Sequence, residues 1–368
     1  MKFCFAAIPG YGHTFPLVPL AAAAQSAGHD VLFVCRDDFA GRLPVPVAGG
    51  VPADLTLQAA EREAVAAAGD RDDPLWFPRA MFGTVMPRHT APLLRELWET
   101  DGRPDLLVYD VANLGPARVA AEAGVPAFAF NVGMHPEGWL TILRPGIESW
   151  PRWLIDPAPS SWSEWAAPAG TERLPIRSVA WSDAAGVGAD WLAGAASGPR
   201  GYLTLGTVSF GAVEVLRRSI LATARVCERV LVAAGPDGDP AALGELPASV
   251  RVERFVDQAA VSRQADIAVH HGGTGTLLAC LAGGVRQLLT PQGADQFVNA
   301  DRLSELGLGR VVDNDAPPEA LDSALAGLLN DAALVARTAA MRAEIAAMPA
   351  PGDVVEQLVE RVRSAAGS

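Results

Sequence analysis

The sequence predicts an α/β protein made of two successive doubly wound, Rossmann-like domains. Three observations carry this. Short apolar runs alternate with helical stretches along nearly the whole chain, and turns rich in glycine and proline close those runs. The 368 residues also exceed the roughly 100–200 that one domain usually holds. The runs lack strict in–out alternation, as expected of parallel strands covered on both faces.

Lys2–Ile8 is the first run, closed by Pro9-Gly10-Tyr11-Gly12-His13. An alanine-rich helical stretch follows to about Ala27, and Gly28-His29-Asp30 turns the chain into a second run, Val31–Cys35. This is a β-α-β unit with glycine at both ends. Asp105–Tyr109 reads as a buried strand, Pro116–Ala123 as its helix and Ala127–Asn131 as the next strand. From about Pro136 to Pro199 the pattern dissolves into proline, serine and tryptophan. Loops, short helices and an interdomain linker are expected there, with the boundary near Ala189–Pro199. A second series follows, with strands Gly201–Leu205, Val230–Ala234, Val250–Phe255, Asp266–His270 and Gln287–Thr290, and a helix Val213–Val226. Leu321–Leu329 and Asp331–Ala347 are helical, and Pro349 and Pro351 break the chain before a last amphipathic helix, Asp353–Val362. The expected domains are 1–190 and 200–350, with 351–368 as a separate terminal helix.

Composition excludes several functions. A net charge of −13 argues against nucleic acid or an anionic membrane as partner. Lys2 is the only lysine, so Schiff-base and P-loop chemistry are excluded and any phosphate must be met by amides and neutral donors. Cys4, Cys35, Cys227 and Cys280 lie scattered in apolar runs without CxxC spacing, which suits reduced, buried thiols. Neither a signal peptide nor a membrane-spanning run is expected, and the protein reads as cytoplasmic, a monomer or homodimer.

The strongest segment is Val269-His270-His271-Gly272-Gly273-Thr274-Gly275-Thr276: strand, glycine turn and helix start in direct succession. Free amides at a helix N-terminus, with the hydroxyls of Thr274 and Thr276, make an anion site that needs no cation. The plain alternative is a glycine-rich turn with no ligand. His270 and His271 are not expected to share a metal, because adjacent strand residues point to opposite faces. Asp295-Gln296 at a later helix start can accept from and donate to vicinal sugar hydroxyls; alone, an ordinary helix N-terminus would explain Asp295 better, but downstream of the glycine turn it does not. His13, directly before a helix, is a candidate general base, since the positive end of the dipole favours neutral imidazole. Asp110, at the end of its strand, is the candidate that fixes the tautomer. A turn histidine and an N-cap aspartate remain the simpler readings of the two.

These residues resemble the inverting GT-B glycosyltransferases of bacterial natural-product biosynthesis, most closely those that decorate enediyne, polyketide and glycopeptide antibiotics. The likeness rests on Pro9-Gly10-Tyr11-Gly12-His13-Thr14-Phe15-Pro16 with Gly28-His29, on Leu203-Thr204-Leu205-Gly206-Thr207, and on His270–Thr276 with Pro291–Gln296. It implies two Rossmann-like domains facing a central cleft, the N-terminal one for the acceptor and the C-terminal one for the nucleotide sugar, with the last helix crossing back to the first. His13 matches the family's base and Asp110 its partner. Gly12, Thr207, His271 and the stretch Gly273, Thr274, Gly275, Thr276 match donor contacts around the diphosphate, and Asp295 and Gln296 match the sugar contacts. Phe255-Val256-Asp257-Gln258 stands where many members carry Trp-x-Pro-Gln, so Phe255, Val256 and Gln258 are expected at the base, with Asp257 in place of the proline. Met81, Phe82, Met86, His89 and Trp139 are candidates for an apolar acceptor cleft, although core packing is the commoner role for such residues.

The expected reaction is a single in-line displacement with inversion, without a metal or other cofactor, moving a deoxysugar from a TDP-sugar to a hydrophobic aglycone. The nucleotide follows from Ala279, which stands where uridine-using relatives carry a ribose-binding glutamate. A buried 2′-hydroxyl left unpaired would cost roughly 1–3 kcal/mol, and a deoxyribose has none. A nucleotide-sugar epimerase on the same architecture and a non-catalytic partner of another glycosyltransferase are the alternatives. A dinucleotide oxidoreductase is disfavoured, because Gly10-x-Gly12 lacks the third glycine of GxGxxG and Pro16 stands in the helix start that must pack closely.

Overall fold

The computed structural model describes all residues except 53, 68, 70, 145–149, 164, 195–196, 207–212, 236–237 and 367–368. It divides into two compact units, one of Met1–Arg177 with Met348–Ser368, the other of Ser178–Ala347.

The first unit is a parallel sheet of β1 (Lys2–Ala6), β2 (Asp30–Cys35), β3 (Val47–Gly49), β4 (Leu106–Asp110), β5 (Ala127–Phe130), β6 (Trp153–Asp156) and β7 (Glu172–Pro175). Their order is β3-β2-β1-β4-β5-β6-β7. Phe3, Phe5, Phe33, Phe128 and Phe130 lie fully buried in it, as the unbroken apolar runs require. β6 and β7 fall inside the stretch expected to be irregular, and this is a correction. Asp156 ends the apolar run of β6 and disguises it as a linker; in the fold its buried carboxylate is met by Arg173 of β7 at 2.6 Å and by Asn131 at 2.9 Å. Burial still holds that carboxyl above its ordinary value, against the pull of Arg173.

The last helix, Pro351–Ala366, belongs to this unit. Its first residue is a proline, which the unpaired N-terminal turn tolerates. Val354, Val355, Leu358, Val359 and Val362 form one buried face. The helix packs against Val18–Ser26, and Arg361 pairs with Glu172 of β7.

The second unit is a parallel sheet of β8 (Arg200–Thr204), β9 (Arg229–Ala233), β10 (Val250–Glu253), β11 (Ile267–His270), β12 (Arg286–Leu289) and β13 (Gly309–Val311), ordered β10-β9-β8-β11-β12-β13. It begins at Ser178, earlier than the 190–200 expected. The reason is packing: Ala189 and Leu192 sit in the core of this unit with Tyr202, Leu231 and Val261.

In both sheets the strand order reverses beside the first strand, between β1 and β4 and between β8 and β11. Connections leave to opposite sides there and open a crevice at the carboxyl ends of the strands, the usual place for a ligand in such folds.

Candidate functional site

At the reversal point of the first unit, β1 and β4 deliver His13 and Asp110. Tyr11–Thr14 forms a short helical turn running on through Phe15–Leu17 into Val18–Ser26, so His13 lies within the first turn rather than before it. His13 Nδ1 is 2.8 Å from Asp110 Oδ2. Asp110 is fully buried, and its other oxygen accepts from the Ala112 amide at 2.9 Å. It caps no helix; Asn113 holds that place for Leu114–Ala123. A carboxylate only accepts, so the His13 hydrogen sits on Nδ1 and Nε2 keeps its lone pair.

Phe82 and Trp139 stand around the imidazole, each with its ring centroid 6.0 Å away and 5.1 Å from each other. Phe82 comes from Met81–Val85, a π-helical turn between Trp76–Ala80 and Met86–Asp101. Such turns re-aim side chains and recur at functional sites. Trp139 is placed by residues the sequence did not flag. Asn131 donates to the Gly133 carbonyl at 2.8 Å and accepts from its amide at 3.0 Å. A Cβ on Gly133 would come within 2.8 Å of the indole nitrogen. The other acceptor candidates divide differently. Met81 and Met86 are buried with Val51, Ala60 and Val85, in core positions. His89 turns to Glu63, 2.9 Å from Nε2.

In the second unit, β11 and its turn place His270 and His271 on different errands. His270 is fully buried: Nδ1 accepts from the Gly272 amide at 3.1 Å, and Nε2 faces Gln287 Oε1 at 2.9 Å. Only a neutral ring protonated at Nε2 satisfies both, and burial drives its pKa down to about 3. His271 is pushed down to about 4, by burial and against the Thr204 carbonyl. Its ring fits between two glycines. Gly206 has φ +83 and a Cβ there would lie 2.6 Å from the ring, while one on Gly273 would overlap Nε2. His271 Nδ1 is buried without a partner. A buried ring nitrogen in that state invites a hydrogen-bond partner.

Gly273 precedes the helix Thr274–Gly283 with no side-chain cap, so the first amides have no intrahelical partner. The two threonine hydroxyls differ from expectation. Thr274 Oγ1 donates to Asp295 Oδ2 at 3.1 Å, which spends its single proton; what Thr274 can offer an anion is its amide. Thr276 Oγ1 accepts from Gln258 Nε2 at 3.0 Å and keeps its proton. Phe255 and Val256 follow β10, Phe255 half-buried and Val256 buried. Asp257 replaces a proline with a cap: its carboxylate accepts from the amides of Ala260 and Gly186, both at 2.9 Å. Asp295 makes no cap hydrogen bond at Gln296–Glu305, whereas Gln296 Oε1 accepts from the Gln292 and Gly293 amides at 2.7 and 3.2 Å. Gly12 and Gly275 leave open space where a Cβ would sit. Thr207 lies outside the described residues. Among the described residues no group of three or more His, Cys, Asp or Glu could hold a metal ion. No described helix is long and apolar enough to cross a membrane. The four cysteines are free and buried, with thiols raised to about 12.

Comparison with known proteins agrees with this geometry. Residues 218–361 match the family described as "Erythromycin biosynthesis protein CIII-like, C-terminal domain". L-demethylnoviosyl transferase of Streptomyces niveus is 32% identical over 386 aligned residues, covering 99% of each chain. The glycosyltransferase SnogD of Streptomyces nogalater superposes with a TM-score of 0.83 at 27% identity, covering 98% of this chain and 99% of its own. SsfS6 of Streptomyces sp. SF2575, solved with thymidine diphosphate, has a TM-score of 0.76 at 24% identity and coverage of 98% and 99%. With two parallel α/β units, a strand-glycine-helix turn suited to a diphosphate, and this likeness along its whole length, the chain belongs to the bacterial natural-product glycosyltransferases, GT-B-fold enzymes of antibiotic biosynthesis that draw on a nucleotide sugar.

Proposed function

We propose that this enzyme transfers a sugar from a TDP-sugar to a hydrophobic aglycone in one inverting displacement, with His13 as general base. The 2.8 Å contact between His13 Nδ1 and the buried carboxylate of Asp110 carries this reading. It leaves Nε2 as the basic nitrogen and places a negative charge to stabilise the imidazolium that forms. Nε2 takes the acceptor proton, the acceptor attacks the anomeric carbon, and the nucleoside diphosphate leaves. The departing charge is met by the first amides of Thr274–Gly283 and by the Thr276 hydroxyl. His271, held in its glycine slot, donates to a phosphate oxygen in the neutral tautomer that carries its hydrogen on Nδ1. This donor set is made of amides, hydroxyls and imidazole, and the reading has no step that needs a divalent cation.

An apolar, flat acceptor suits the walls around His13, since Phe82 and Trp139 present ring faces and edges. Thymidine is favoured over uridine because Ala279 offers no partner to a ribose hydroxyl. SsfS6, with thymidine diphosphate bound, supports the same choice. Asp295 and Gln296 read the sugar.

The test is one assay. The enzyme is incubated with pooled TDP- and UDP-sugars and candidate polyketide or aromatic aglycones, with and without EDTA, and products are identified by mass spectrometry and NMR. We expect a glycosylated aglycone plus TDP, a β-linkage from an α-donor, and equal yield in EDTA. Retention of configuration would sink the base mechanism. Loss of turnover in EDTA would overturn the diphosphate reading. An altered sugar nucleotide without aglycone would instead indicate epimerisation.

A further inference from the structure

Asp295 is an exposed carboxylate at the start of a helix, yet it does not cap that helix. Its Oδ2 is held by two donors from within the unit: Thr274 Oγ1 at 3.1 Å and Asn299 Nδ2 at 3.1 Å. Asn299 is fully buried, and the same Nδ2 also donates to the Gly272 carbonyl at 2.9 Å. Its orientation is set by chemistry, because a flipped amide would point its oxygen at two acceptors. In this orientation Oδ1 is buried and unpartnered. A buried amide that leaves its oxygen unsatisfied is a poor core residue, so the value of Asn299 lies in what its NH₂ holds.

It holds the phosphate turn and the sugar-facing carboxylate at once. Gly272 stands in that turn, at φ +91, and Asp295 follows Ala294, the only non-glycine residue with positive φ among those described, at +54. Left-handed alanine is strained, and strain of this kind persists where surrounding bonds over-determine it. The bonds are present: Gln296 Oε1 takes the Gln292 and Gly293 amides on one side of Ala294, and Asn299 with Thr274 takes Asp295 on the other.

From this network we infer that Asn299 is a positioning residue for donor-sugar selection, tying Asp295 to the diphosphate turn so that the distance between phosphate and sugar contacts is set before the donor arrives. Thr274 is its second anchor. The consequence for recognition is specific. With Oδ2 of Asp295 and Oε1 of Gln296 both spent, the pair presents one acceptor, Asp295 Oδ1, and one donor, Gln296 Nε2. A sugar matched to it offers a hydroxyl proton to the first and an oxygen lone pair to the second.

The inference rests on the proposed sugar contact at Asp295, and the experiment separates the two. Calorimetry on the full chain measures Kd for TDP and for a panel of TDP-hexoses; the hexose with the largest wild-type gain over TDP is carried forward. Asn299→Leu keeps the branched shape and removes the donor, and Thr274→Val removes one hydroxyl from the same carboxylate. The ratio of Kd for TDP to Kd for the TDP-hexose is expected to fall about tenfold in Asn299→Leu and severalfold in Thr274→Val, whatever happens to TDP alone. A purely structural asparagine would weaken both ligands together and leave the ratio unchanged, and that result overturns the inference. Should Asn299→Leu fail to fold, Thr274→Val decides by the same ratio. Asp295→Ala supplies the control: if it keeps the wild-type ratio, or no hexose improves on TDP, the sugar contact itself is wrong. If Asp295→Ala loses the ratio while both anchor variants keep it, only the positioning role falls.

Discussion

The proposed role of His13 depends on what holds its far side. The Ala112 amide pins one Asp110 oxygen, so the other must face Nδ1. This makes two predictions at the level of single residues. His13→Ala should lower transfer by about 10²–10⁴ while TDP affinity, measured by calorimetry, stays near wild type; undiminished turnover would rule out the base. Asp110→Asn should be nearly as damaging. With its oxygen still held by Ala112, the new amide turns its NH₂ toward His13, makes Nδ1 the acceptor and moves the proton to Nε2, where the base must be free. If the pH–rate profile of Asp110→Asn follows that of wild type, Asp110 is no more than a turn-former.

The glycine turn at His270–Thr276 shows how one element combines support with exposure. His270 serves the inside of the turn, His271 is the proposed phosphate contact, and both are kept neutral by burial, near 3 and 4 against an ordinary 6.5. The unfolded chain therefore binds protons that the folded chain refuses between about pH 6.5 and pH 4. Stability is full above that window and falls through it on acidification, by up to about 1.4 kcal/mol per pH unit for each histidine. Urea unfolding of the second unit at pH 7, 6 and 5 should show this slope, and His270→Gln should reduce it. A slope identical in wild type and variant would mean that His270 titrates freely. The π-helical turn at Met81–Val85 is the corresponding device in the first unit, since it presents Phe82 to His13 while Met81 and Val85 stay buried.

At the scale of the molecule, the first unit is closed by the chain's own last helix. Leu358 is fully buried at the centre of its apolar face, beside Val354, Val355 and Val362. Leu358→Ala should cost about 2–5 kcal/mol, seen as a lower melting point with faster amide exchange in the first unit. Unchanged exchange around Val18–Ser26 would show that the helix adds little there. Two successive βα series and a terminal helix are legible from pattern alone, and the return of that helix to the first unit, which the resemblance implies, is what the grouping of Met348–Ser368 with Met1–Arg177 shows.

The order of residues by itself determined the α/β class, the doubly wound halves, the pairing of His13 with Asp110 and the glycine turn at His270–Thr276, because hydrophobic period and glycine punctuation are local and a parallel sheet brings the ends of neighbouring strands together. Tertiary structure alone decided the rest. β6 was hidden by Asp156, whose charge makes sense only beside Arg173. The unit boundary moved to Arg177 because Ala189 and Leu192 find their core in the second unit. Met81, Met86 and His89 had the composition of a cleft, but their partners in space are a core and Glu63. The hydroxyl of Thr274 and the amide of Asn299 were assigned by an aspartate that is distant from Thr274 in sequence and a glycine carbonyl that is distant from Asn299. A side chain's hydrogen-bonding capacity is written in its type, but which partner uses it depends on which strands and helices the fold sets side by side.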